Sequence, residues 1–447
     1  MIRRLAVVLL LTGATLAGCA QAPEDDAYSA FMRQQQDTLD EWISRPGAAT
    51  QPASAPSEPR ITEQSDLKDC LAYAARHNPE LEAAFDAWKA ALERVPRMRA
   101  LPDPQFTYSN YIEMSENAYE IAQMFPWLGK LDLRGDVAAE EAQAARFRFD
   151  AAMLKLFYRV QQAYGEYYYL GRETLITQQN IELLNQIEAI ARTRYATGAA
   201  GHPDMIRAQV EQGRLADRLR TLQKLRTPTA ARLNAVMNRP AASPLPWPKS
   251  LSSPQGDFSD EQLIAWAAQA NPEVRAMDRE LAARGDEIRL ARREYIPDIM
   301  LSASHDPMMA QSRDNPYIAM VSVNVPLWWN RISAGVREAR WRRLQAINEK
   351  AAFLNNLGAD VEMALFEFQD AGRKIGLYRD TLIPKAEQAL QASQSAYGAG
   401  AASFQDYLDA QRVLLEFQLS YERSLTDRAQ RLAELEVLVG KPLTDGR

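Results

Sequence analysis

Asp406 and Asp409 are the two residues of this 447-residue chain whose types and spacing point most directly to chemistry. Three positions apart, they fall on one face of a helix. Carboxylates set this way can share general acid and base work. Gathered in a narrow passage, they attract cations and raise one another's pKa. A structural account is equally open, in which Asp406 caps a helix start and Asp409 lies on a solvated face. Spacing alone does not separate these readings. A second cluster, His305-Asp306-Pro307-Met308-Met309, sets soft beside hard metal ligands, but it falls between two strand candidates and reads as a surface loop. The chain has three histidines (His77, His202, His305) and two cysteines (Cys19, Cys70), too few for a disulfide framework or a Cys/His zinc site. It contains no Gly-x-Ser-x-Gly elbow, phosphate-binding glycine loop or His-Glu-x-x-His helix. No catalytic residue, metal site or cofactor is therefore expected, and the chain does not read as an enzyme. A net charge of -6 argues against a nucleic-acid partner.

The remaining reactive group is Cys19. Arg3 and Arg4 form a short positive region, residues 5–11 a short apolar core, and Leu16-Ala17-Gly18-Cys19 a small-residue site ending in cysteine. The core is far shorter than the about 20 apolar residues that span a bilayer. The pattern resembles a bacterial lipobox, whose cysteine is acylated and becomes the mature N-terminus. A plain secretory signal ending near a cysteine by chance is the alternative. Ala20, not Asp, follows, which in such lipoproteins implies sorting to the outer membrane. Residues 1–18 are then a signal peptide, and 19–64 a lipidated N-terminus with an extended tether rich in Ala, Pro and Ser. Cys70 reads as a small buried apolar residue of a helix.

The rest of the chain is duplicated. Asn78-Pro79-Glu80-Leu81 recurs as Asn271-Pro272-Glu273-Val274, Pro102-Asp103 as Pro297-Asp298, and Phe125-Pro126-Trp127-Leu128 as Val325-Pro326-Leu327-Trp328. Tyr195, Gly198, Asp204, Ala208 and Gln209 recur at one offset as Tyr397, Gly400, Asp406, Ala410 and Gln411, with Pro240 recurring as Pro442. Each copy reads as helix, two strands, long helix, turn and return helix. The first repeat spans 65–240, with strands near 105–124 and a coiled coil near 130–238. A Pro/Ser-rich connector follows at 241–258. The second repeat spans 259–447, with strands near 299–325 and a coiled coil near 331–440.

These elements set the architecture. Val321-Ser322-Val323-Asn324-Val325 alternates as a strand between lipid and water should, and Tyr108, Tyr111, Tyr119, Trp127, Tyr317, Trp328 and Trp329 sit on or flank the strand candidates, as in an aromatic girdle or an ordinary soluble hairpin. Leu414, Phe417, Tyr421, Leu425, Leu432, Leu435 and Val439 form an apolar stripe of coiled-coil type. Residues 130–195 and 331–397 contain no proline except Pro384, which is expected to bend the second. Each such helix would be about 100 Å long. By length, the return helix at 203–238 would stack on the opening helix at 260–293, and the helix at 404–440 on the one at 65–97. Four strands cannot close a membrane barrel, and open edges are not tolerated in lipid, so the chain is expected to oligomerise.

From about Ser65 to Leu443 the chain resembles the TolC-like outer-membrane efflux protein family. The most specific stretch is 397–411, where Tyr397, Gly400, Ser403, Asp406, Leu408, Asp409 and Ala410 look like the family's second periplasmic turn, duplicated at 195–209. The resemblance implies a mainly α fold with a small β membrane part: a homotrimer with a 12-stranded β-barrel in the outer membrane and an α-barrel through the periplasm. The closed tip is opened by a periplasmic adaptor (membrane fusion protein) and an inner-membrane transporter of RND type, which supplies the energy. Carried over by residue, Asp406 and Asp409 are inward-facing gate carboxylates, Tyr397 and Asp204 tie neighbouring coiled coils, and Gly198 and Gly400 are the turn glycines. Ala402 stands where some members carry a gate arginine, so fewer ionic contacts are expected to hold the tip. Phe125-Pro126-Trp127-Leu128-Gly129-Lys130 looks closest to the branch serving heavy-metal efflux. The competing reading is a lipid-anchored periplasmic coiled-coil adaptor or scaffold. Adaptors usually carry one helical hairpin flanked by β-rich domains, whereas here two turns and two strand pairs repeat.

Overall fold

The computed structural model describes residues 61, 65–111, 116–198, 201–251, 258–306 and 316–443. Cys19, the leader, most of the tether and Pro307-Met308-Met309 lie outside the described residues.

Each repeat opens with two short helices meeting at an asparagine. In the first, α1 (Leu67–His77) stops at Asn78 and α2 (Pro79–Arg99) begins there. The side-chain oxygen of Asn78 accepts the N–H groups of Glu80 and Leu81, and Pro79 occupies a position whose N–H a helix does not need. Cys70 is buried in α1, and burial, reinforced by Asp69 and Asp66, pushes its thiol up to about 12. The paired strands β1 (Gln105–Tyr111) and β2 (Glu116–Phe125) follow, and then α3 (Lys130–Ala196) and the return helix α4 (His202–Val236). With 67 residues, α3 is about 100 Å long. The second repeat runs α5 (Asp260–Ala270), Asn271, α6 (Pro272–Arg293), β3 (Ile299–His305), β4 (Tyr317–Val323), α7 (Trp329–Leu377), α8 (Ile383–Ala399) and α9 (Phe404–Val439). No helix of the described residues is long and apolar enough to cross a membrane.

One expectation is corrected. The two capping asparagines also donate their side-chain N–H to the ends of the return helices, Asn78 to the Val236 carbonyl at 2.9 Å and Asn271 to the Leu438 carbonyl at 2.8 Å. Each return helix therefore stacks on the opening helices of its own repeat, not of the other. Length could not decide this, because α2 and α6 have 21 and 22 residues. Pro384 is preceded by a π turn at Tyr378–Leu382, where the Ile383 N–H reaches back five residues to the Tyr378 carbonyl. Proline has no N–H for an α-helical bond. The turn also holds an extra residue. Helix starts align through Lys130 N–H to Trp127 O and Arg331 N–H to Trp328 O; Arg331 follows Lys130 by 201 positions, yet Gly400 follows Gly198 by 202.

The helices form four columns side by side: α2 end to end with α4, then α3, then α6 end to end with α9, then α7 with α8. Connector residue Trp247 stacks on Tyr167 at 4.7 Å, with the Arg226 guanidinium over its ring, and Gly171 leaves it room. Strands β1 to β4 form one antiparallel sheet in sequence order, with β1 and β4 as its edges. Its register aligns Phe106, Ile121 and Ala303 with Ala319, and Tyr108, Tyr119 and His305 with Tyr317, on one face. Thr107, Glu120 and Ser304 line up with Ile318 on the other. The first face is apolar yet uncovered: Phe106, Ile121 and Val321 are 65%, 57% and 68% exposed. A soluble sheet would bury such a face, so this one is built for contact with something other than water.

Candidate functional site: the paired helical turns

Both coiled coils turn back at glycines. Gly198, after α3, has φ +76°, and Gly400, after α8, has φ +81°, a left-handed conformation that other residues resist. At Gly400 the chain closes with Ala401 N–H bonding to Ala396 O at 2.8 Å. Helix α9 then starts at Ser403, whose hydroxyl accepts the Asp406 N–H at 3.1 Å. The Asp406 carboxylate accepts the Ser403 N–H at 3.1 Å and its O–H at 2.7 Å, completing a capping box. Asp406 is thus the third helical residue supporting a serine cap. Asp409 is exposed on the same helix, receiving a bond from Gln405 at 3.0 Å and an ion pair from Arg412 at 3.1 Å.

Tyr397 sits where the two turns meet. It is buried, edge-on to Phe404 at 5.3 Å, with the Arg194 guanidinium 4.5 Å above its ring. Its hydroxyl donates to Asp204 Oδ2 at 3.3 Å, crossing from α8 to the first turn of α4. Burial, then the Asp204 charge, pushes its phenol up to about 12, with Arg194 opposing. The pKa is raised, so the contribution of this contact is complete below the ordinary value of 10 and is lost as pH rises to about 12. Tyr397→Phe is expected to remove the part of the protein's alkaline destabilisation lying in that window, as read by thermal unfolding across pH. An unchanged alkaline limb would show that Tyr397 ionises as an ordinary exposed tyrosine.

Further cross-links climb from the turns between the same coiled coils. Arg412 bridges Asp409 and Glu211, the latter at 2.7 Å. Burial raises the Glu211 carboxyl, but Arg412 and Arg214 outweigh it and hold it below the usual range. Gln411, fully buried, donates to Asn180 Oδ1 at 2.9 Å, and Arg172 pairs with buried Glu422 at 2.6 Å. The resemblance assigned none of these four contacts. Gln411 carried a signal, because it repeats Gln209, but repetition does not reveal which neighbour a side chain meets. Among the described residues, no group of three or more His, Cys, Asp or Glu could hold a metal ion.

A sheet with an uncovered apolar face, continued by duplicated coiled coils that turn back at a cross-linked end, defines the subunit of an outer-membrane channel with a long periplasmic helical part. Residues 263–441 match the outer membrane efflux protein family. Nodulation protein T of Rhizobium leguminosarum bv. trifolii is 26% identical over 321 residues, 69% of this chain and 68% of that protein. Cobalt-zinc-cadmium resistance protein CzcC of Cupriavidus metallidurans is 22% identical, across 84% of this chain and 90% of its own. Among solved structures, outer membrane protein VceC of Vibrio cholerae superposes with a TM-score of 0.70 at 18% identity, covering 87% of this chain and 99% of VceC. Over residues 263–441 the chain matches that family, and the described chain as a whole has the fold of the TolC-like channels.

Proposed function

We propose that three copies of this chain form the exit duct of a tripartite efflux system, taking small substrates from a periplasmic adaptor and an inner-membrane transporter of RND type to the exterior. The observation that carries this reading is the four-stranded sheet with an uncovered apolar face and two open edges. Open edges in lipid leave backbone groups unpaired, which neighbouring copies would satisfy. Three copies bring twelve strands, within the range of closed membrane barrels. Acylation of Cys19 would add a lipid anchor in the outer membrane. The likeness to CzcC and the Phe125-Pro126-Trp127-Leu128-Gly129-Lys130 segment favour metal ions as cargo.

The gate in this reading is the pair of turns. Under threefold symmetry Asp406 and Asp409 become rings, Tyr397–Asp204 and Arg412–Glu211 hold the coiled coils closed, and Gly198 and Gly400 permit the turns. The test joins the detergent-corrected mass of protein extracted from outer membranes with conductance in planar bilayers. A trimeric mass is expected. Tyr397→Phe removes a bond worth about 1 kcal/mol, about fivefold in the closed-to-open ratio per chain. Asp406→Asn and Asp409→Asn, which keep acceptors for the cap and for Gln405, are expected to lower cation preference. A stable monomer, soluble without its anchor, would sink the reading.

A further inference from the structure

The junction between the repeats within one chain is a template for the junction between chains. Pro102-Asp103 and Pro297-Asp298 lie 195 positions apart, and Pro126 and Pro326 lie 200 apart. Applied to the first hairpin, where Gln105 faces Ala122, these offsets give Met300 facing Ser322, as the second hairpin has it. The two hairpins therefore share one register. Between the repeats, β2 pairs with β3 so that Met124 faces Met300. The same offsets, applied to this pairing, set Asn324, the residue after β4, opposite Gln105 of β1, and hence Val323 opposite Phe106 and Val321 opposite Tyr108. Within one chain β1 and β4 are the two edges of the sheet, so this pairing requires a second copy. It also joins apolar face to apolar face, which a one-residue slip would not.

A side-chain lock accompanies the internal junction. Lys130, at the start of α3, is buried and donates to Ile296 O and Asp298 Oδ1, both at 2.8 Å; Asp298 also accepts the Trp127 N–H at 2.8 Å. The spacing of Trp127 and Lys130 recurs in Trp328 and Arg331, and the counterpart of Asp298 is Asp103. Arg331 and Asp103 are both exposed, and neither side chain has a partner among the described residues. Each has the chemistry of half a lock. Below the sheet, α7 leaves Trp341, Leu344, Met363 and Phe366 uncovered along one face of an outer column, 69%, 46%, 60% and 63% exposed. An apolar stripe there continues the same edge.

We propose that β4 of one copy pairs antiparallel with β1 of the next, Val321 opposite Tyr108 and Val323 opposite Phe106, and that Arg331 closes on Asp103 of the next copy as Lys130 closes on Asp298. This rests on the channel reading above. Cysteine pairs in outer membranes test it: V321C with Y108C should give oxidised dimers and trimers on denaturing gels, whereas V321C with F106C or with N110C, each a two-residue slip, should not. Trimeric mass with cross-links only in a slipped pair would overturn this register and leave the channel reading standing. Absence of trimeric mass would overturn both. Separately, D103R and R331D should each lose detergent-resistant trimer, and the double variant should recover it. Single variants like wild type, or a double no better than the worse single, would overturn the lock.

Discussion

Lys130→Met is expected to cost about 3–5 kcal/mol, because it removes one partner of a buried ion pair and leaves the other uncompensated. The side chain of Lys130 is 2% exposed and that of Asp298 18%. A cation at the first position of a helix faces the positive end of the helix dipole, so nothing local favours it there. Its ammonium is held instead by Ile296 O and Asp298 Oδ1, 166 and 168 positions away. Methionine fills nearly the same volume without donating, so Asp298 would retain only the Trp127 N–H. Asp298→Asn alone is expected to cost less, because an amide still accepts that bond. The double variant should recover part of the loss, giving a coupling of about 1–3 kcal/mol. Thermal unfolding followed by helical circular dichroism in detergent measures this. Strict additivity of the two single changes would mean that the pair does not lock the strands to the long helix.

The mainly helical, duplicated architecture was legible because it rests on periodicity and self-similarity, which are properties of the chain itself. The alternation of Val321 through Val325 and the stripe from Leu414 to Val439 report a two-sided sheet and a packed helix face without knowledge of their partners. Partner choice was not legible. The two Asn-Pro-Glu motifs read as helix starts, which they are, but their second role, donating to Val236 and Leu438, decides the stacking and depends on a carbonyl more than 150 positions away. Pro384 signalled a local disturbance, but the π turn that precedes it depends on the residue count leaving one to spare.

The turns show the same division. Glycines at Gly198 and Gly400 follow from the need for positive φ, a local requirement. Asp406 had two local readings, and its oxygen is used in the cap of α9; a free carboxylate ring would have to form with that bond in place. Arg412 and Glu211 offered only local pairings with Asp409 and Arg214, and Asn180 none, because cross-links between coiled coils are set by helix rotation and not by spacing within either helix.

Gly440→Ala is expected to be the other strongly destabilising change, at about 2–5 kcal/mol. Gly440 ends α9 with φ +83°, where any side chain costs about 1–2 kcal/mol. A Cβ there would also come within 2.7 Å of Ala270 O and Asn271 Cα, backbone atoms that cannot swing aside as a side chain could. Relieving such overpacking typically costs another 1–3 kcal/mol. Its counterpart in the first repeat, Asn238, also has positive φ, +58°, and donates to His77 O at 2.8 Å, so the same corner is built there with a residue that tolerates the conformation. The difference is the closer approach of α9 to the α5–α6 corner. Gly213→Ala, at an exposed helical position with nothing within 4 Å, is the control and should stabilise by up to about 1 kcal/mol. If Gly440→Ala unfolds with wild type in the same detergent, the end of α9 can withdraw from Asn271, and the stacking of return helix on opening helix contributes little to the height of the column.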